Sequence, residues 1–174
     1  MRKIPYEPNR LQDFDREWNL HIGCKEWWCC TGVLRSDHGL SYSYQFTLLT
    51  ADLRLFAPKV LLLALTDLQT GKHHSFQQTS LLGGGVEMGE SRLRFGGRAE
   101  VMKTGEGIRL VLRHEAFSLD LNLGYGRGAC WHCDHGKLYM GTPGDEKQTT
   151  FYFSYPDMPT AGYLTVEEET MSCS

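Results

Sequence analysis

The densest group of chemically capable side chains lies in ACWHCDHG (129–136), which gathers Cys130, His132, Cys133, Asp134 and His135. A C-x2-C pair beside histidines can hold zinc, at about 2.3 Å from each thiolate sulfur. Two further ligands would have to come from elsewhere, and alternate residues of an extended segment point apart. The segment is therefore read as holding no metal, and no cofactor is expected. His132 with Asp134 suits proton transfer better. Unperturbed imidazole titrates near pH 6.5, and a neighbouring carboxylate raises that value, so the pair could protonate or orient a ligand. The same residues serve equally well as a hydrogen-bonded loop. The glycine run at 83–85 lacks the lysine and the following helix of a phosphate-binding loop, and Asp67, ahead of a turn at 69–71, reads as a turn cap.

The elements that must position these groups are strands. EWWCCTGVL (26–34) is answered by YSYQFTLL (42–49) across SDHG (36–39), a hairpin pattern in which Gly39 takes a positive φ. A strand sends successive side chains to opposite faces, so Trp27 and Trp28 occupy different environments. Both have packing roles available, and one of them should face an interior. Gln45 shares a face with Ser43 and Thr47, for which solvent is the default and a ligand contact the alternative. In FSLDLNL (117–123) apolar and polar residues alternate, as Ile108, Leu110 and Leu112 do with Arg109 and Arg113. Residues 60–65 are apolar on both faces, and 73–81, 149–155 and 162–166 are further strands. Only 11–19 could form a helical turn or two. About nine strands with hairpin-length connections and no crossover helix predict an all-β antiparallel barrel or sandwich. Two-sided apolarity favours the barrel, with a lumen sized for one small ligand.

The 174 residues fit a single domain that buries roughly 70% of its unfolded surface. A net charge of −3, with scattered basic residues, gives no footprint for nucleic acid. The basic start has no apolar segment behind it, and the longest apolar run is too short to span a bilayer, so no membrane span and a cytoplasmic location are expected. Six cysteines in that setting read as reduced thiols, and the neighbours Cys29 and Cys30 point apart. VEEET (166–170) reads as a solvated acidic end before a disordered tail.

EWWCCTGVL with YSYQFTLL resembles the EWWYxTGxL and GYQxTxF signature of carotenoid 1,2-hydratases (hydroxyneurosporene synthases) and their AttH-type relatives. The likeness continues in order through ALTD, FSLDLNL, WHCDHGKLYMG and TTFYFSYPDMPTAGYLTV. It implies a lipocalin-like, calycin-like β-barrel of one domain over 26–167, with 1–25 as an N-terminal extension and 168–174 as the tail. It further implies binding of a hydrophobic small molecule (isoprenoid, polyketide or lipid-like) by Trp27, Trp28, Tyr42, Tyr44, Gln45, Phe46, Leu63, Trp131 and Tyr152. The enzymatic alternative is a hydratase, isomerase or cyclase acting on an alkene-rich substrate, with His132 and Asp134 as its polar pair. Family members usually continue into a second, similar barrel, so this chain corresponds to the first half, and a homodimer is one way to replace the other. A third reading is an interaction module pairing through an edge strand at 162–166.

Overall fold

A computed structural model describes residues 3–4, 17–18, 20–21, 23–51, 56–81, 85–142, 145 and 148–174. The period-two patterns become strands throughout. A short parallel pair, β1 (Lys3–Ile4) and β2 (Leu20–His21), precedes an antiparallel four-stranded meander. That meander comprises β3 (Lys25–Arg35), β4 (Ser41–Ala51), β5 (Lys59–Asp67) and β6 (His73–Ser80). A second meander follows, with β7 (Val86–Met88), β8 (Arg92–Phe95), β9 (Ala99–Lys103), β10 (Gly107–Arg113) and β11 (Phe117–Gly124). The chain then leaves the sheet to make two small ladders. β12 (Cys130–Trp131) pairs with β15 (Phe153–Ser154), and β13 (Lys137–Tyr139) pairs with β14 (Thr149–Phe151). It returns through β16 (Thr160–Val166) and β17 (Glu169–Cys173), giving a seven-stranded sheet ordered β17-β16-β11-β10-β9-β8-β7.

The two sheets are joined at one corner by backbone hydrogen bonds. Arg35 and Ser174 exchange N–H to carbonyl bonds of 2.8 and 3.0 Å, and the Asp37 N–H donates to the Ser172 carbonyl at 3.0 Å. The last strand thus returns to the end of β3, the opening strand of the four-stranded meander, and the fold is all-β and lipocalin-like. Between β6 and β7 no strand pairing occurs among the described residues. The alternating apolar residues of both sheets meet in one core that includes Phe46, Leu61, Leu110, Leu119, Leu121 and Leu164. Polar partners cover the outer side of the larger sheet. Arg109 there grips Asp120 with two bonds of 2.7 and 2.6 Å, which holds the Asp120 carboxyl below its usual range.

Several expectations change in detail. The supposed disordered tail is strand β17, because its alternation buries Met171 and Cys173 against the core while Thr170 and Ser172 face outward. For the same reason β16 is not an edge: β11 lies on one side of it and β17 on the other, so the interaction-module reading through 162–166 fails. Gly162 lets β16 approach β11, since a Cβ there would strike the Asp120 carbonyl oxygen. The single strand expected at 149–155 is two short strands facing different partners. The core also takes in Leu20, which precedes 26–167. Of the helical turn expected at 11–19, only Glu17 and Trp18 fall within the described residues, and there is no helix among those long and apolar enough to cross a membrane.

Candidate functional site

The register of β3 to β6 sorts the strand residues onto two faces. Directly opposed residues share a face, so the inner face runs in rows from the corner with β17 toward the N-terminal pair. Gly32, Tyr44, Leu65 and His74 form one row, followed by Cys30, Phe46, Leu63 and Phe76, and then by Trp28, Leu48, Leu61 and Gln78. Phe46, Leu48, Leu61, Leu63 and Leu65 are fully buried, while Trp28, Cys30 and Phe76 pack on the core yet stay half-buried. Of the adjacent pair, Trp28 is therefore the one that faces the core, which Trp18 also joins. Tyr42, Tyr44, Phe46 and Leu63 share the face of Trp28. Burial and the neighbouring Cys30 push the Tyr44 hydroxyl far above the usual phenol range, and burial raises the Cys30 thiol, so both are neutral packing groups that share a hydrogen bond of 3.3 Å.

Each end of this face carries polar chemistry. Toward the β17 corner, His74 and Phe76 meet the β10–β11 turn, where His114 stacks on Phe117 at 5.0 Å and lies edge-on to Phe76 at 6.0 Å. The Arg98 guanidinium sits 4.8 Å from the Phe76 ring centre. Burial holds His114 below its usual imidazole value, with Arg98 and His74 acting the same way and Glu115 opposing them. At the other end, the last row is Glu26, Thr50, Lys59 and Ser80. Lys59 is 2% exposed, and Thr50 is buried beside it. His21, 3% exposed, sets Nδ1 at 2.5 Å from one Glu26 carboxylate oxygen, while its backbone N–H donates to the other at 2.9 Å. Sequence reasoning passed over this row. Its signals are a lysine that opens the most apolar strand and a glutamate next to the start of the tryptophan strand.

The remaining candidates belong to the outer face. Trp27, Leu49 and Val60 share one outward row, and Gln45 is exposed on another, where its amide donates to Thr47 at 3.3 Å. The Trp27 ring lies 6.0 Å from that of Tyr152, so the excursion between β11 and β16 covers this side of β3. The excursion is held by aromatic contacts, with Trp131 at 4.8 Å from Phe153 and His132 stacked on Tyr152 at 4.4 Å. His132 Nε2 shares a 2.7 Å hydrogen bond with the Ser154 hydroxyl, while Asp134 is exposed and its carbonyl accepts from the Lys137 N–H in a tight turn. The structure thus gathers Trp27, Tyr152 and His132 but does not bring the His132 ring onto Asp134. Positive φ at Cys133, His135 and Gly136 shapes that turn, and a Cβ on Gly136 would lie 2.7 Å from the Trp131 ring. Cys130 and Cys133 are exposed thiols. Among the described residues no disulfide forms, and no group of three or more histidine, cysteine or acidic side chains could hold a metal. Asp67 is the expected turn cap, with Oδ1 accepting from the Gln69 N–H at 2.8 Å and Oδ2 from the Thr70 hydroxyl at 2.8 Å.

Comparison with known proteins agrees with this architecture. The profile of the AttH-like family matches residues 5–174. The crystal structure assigned to an AttH protein of Nitrosomonas europaea superposes with a TM-score of 0.83 at 20% identity, covering 98% of this chain and 54% of that one. Kievitone hydratase from Nectria haematococca superposes with a TM-score of 0.69 at 17% identity, covering 87% and 44%. Likeness at such identity is likeness of fold, and this chain spans about half the length of either protein. No curated protein matches it.

Proposed function

This chain belongs to the AttH-like family, and from that premise we propose that the inner face of β3 to β6 binds a hydrophobic small molecule, isoprenoid, polyketide or lipid-like in character. The observation that carries this reading is the half-buried state of Trp28, Cys30 and Phe76 amid fully buried neighbours. Apolar surface that faces a core and stays accessible is surface a ligand can remove from water, at about 25 cal/mol per Å² covered. The neutral fluorophore 1-aminoanthracene should bind the protein, and Cys30→Trp, which fills the accessible space, should weaken that binding at least tenfold with the circular dichroism spectrum retained. Undiminished binding to a folded Cys30→Trp protein would put the ligand elsewhere.

The second reading, turnover of an alkene-bearing ligand, is favoured by the fold shared with kievitone hydratase. On that reading His132, fixed by Ser154 and Tyr152, handles the proton, with Asp134 exposed in the adjoining turn, and a second copy of the chain supplies the length that the two solved structures have in addition. Incorporation of oxygen from isotopically labelled water into an isoprenoid alkene, lost in His132→Gln, is the expected result. No label in any product would leave binding as the function.

A further inference from the structure

The polar end of the inner face contains a histidine whose two ring nitrogens have different surroundings. Nδ1 of His21 is engaged by Glu26 at 2.5 Å, and the same carboxylate also takes the His21 backbone N–H, so one carboxylate holds the residue at two points, the ring at one of them. Nε2, on the far side of the ring, is buried without a hydrogen-bond partner among the described residues. A buried ring nitrogen without a partner is unfavourable, and Glu26 holds this one in place. Glu26 lies on the inner face of β3, one row beyond Trp28 and opposite Thr50, in the same cross-strand row as Lys59. The apolar lining therefore ends in a polar row in which Thr50 and Lys59 are buried.

We propose that His21 is the polar anchor of the interior site, with Nε2 taking a hydroxyl carried at one end of an otherwise apolar, alkene-bearing molecule, and that Glu26 is the residue that positions the ring. This deepens the binding reading above and rests on it. A hydroxyl fits the nitrogen in either state of the ring, because it donates to a lone pair and accepts from an N–H. A hydrocarbon leaves the nitrogen unsatisfied. The carboxylate, imidazole and ligand hydroxyl then form a chain in which Glu26 decides which ring nitrogen faces the ligand.

Two ten-carbon probes separate the possibilities: geraniol, which has a terminal hydroxyl, and myrcene, an acyclic hydrocarbon of the same size. Both should displace 1-aminoanthracene from the wild-type protein, geraniol at the lower concentration. His21→Phe should weaken geraniol about tenfold and leave myrcene within twofold. Glu26→Gln should weaken geraniol less and should alter the nitrogen-15 signals that report which ring nitrogen carries the proton. In the wild-type protein, which needs no variant to fold, geraniol should move the His21 Nε2 resonance and myrcene should not. If both probes bind and His21 Nε2 stays unmoved by geraniol, or if His21→Phe weakens the two probes equally, the anchor is refuted while interior binding stands. If neither probe displaces the fluorophore, interior binding itself fails, and the anchor with it.

Discussion

The inner and outer faces of the four-stranded sheet are built from the same strands, one residue out of step, yet they have different chemistry. Inward from β3 and its neighbours point Trp28, Phe46, Leu61 and Leu63, continuous with the core of the larger sheet and bounded by the His21–Glu26 pair at one end and His74 with His114 at the other. Outward point Trp27, Leu49, Val60 and Leu62, and Trp27 is met only at its edge of the sheet by the aromatic excursion around Tyr152. Val33, further along the same outer face, is 65% exposed. The larger sheet has no such second apolar face, since Arg109 and Asp120 occupy the outside of its central strands. The difference teaches that apolarity on both sides of a strand does not by itself identify a lumen. Here it marks one face that encloses a core and another that carries a separate aromatic layer.

Adjacent leucines offer the hardest test of that contrast. Leu61 is fully buried on the inner face and Leu62 only partly buried on the outer one. Leu61→Ala should cost about 2–5 kcal/mol in urea denaturation, and Leu62→Ala less than about 1.5 kcal/mol. Equal losses would break the distinction between the faces. A smaller effect is expected at the imidazole end. Because burial lowers the folded-state value of His114, the stability this provides is fully present above the unfolded imidazole value of about 6.5. It is lost as pH falls from there through the lowered folded value. His114→Phe should flatten the stability profile across that interval, as chemical denaturation at stepped pH would reveal. An unchanged slope would mean that the acid response comes from other groups.

Much of the fold was legible because alternation reports burial directly. The β10–β11 pair and the tryptophan hairpin appear where the pattern put them, and Gly39 takes its positive φ. The C-terminal strand was missed because charge dominates 167–169, while the two residues that bury, Met171 and Cys173, lie too close to the end to form a run. The site was legible by residue type but not by face. Strand periodicity establishes that Trp27 and Trp28 diverge, whereas their inside and outside depend on which face of β4 meets the second sheet, a contact made across long sequence separation. His132 was recognised as chemically able, yet its partner is Ser154 rather than the near neighbour Asp134. His21 and Glu26 are only five residues apart, but they fall on either side of the expected boundary between extension and barrel, so the pair did not stand out.

The central claim, that a hydrophobic ligand occupies the inner face, is tested most directly by fluorine NMR of protein labelled with 5-fluorotryptophan, with each signal assigned by a tryptophan-to-phenylalanine variant. On titration with geraniol, the account predicts that the Trp28 resonance shifts and saturates at one equivalent while Trp27 and Trp131 hold still. Movement of Trp27 and Trp131 with a stationary Trp28 would contradict it, placing the ligand on the outer aromatic layer beside Tyr152.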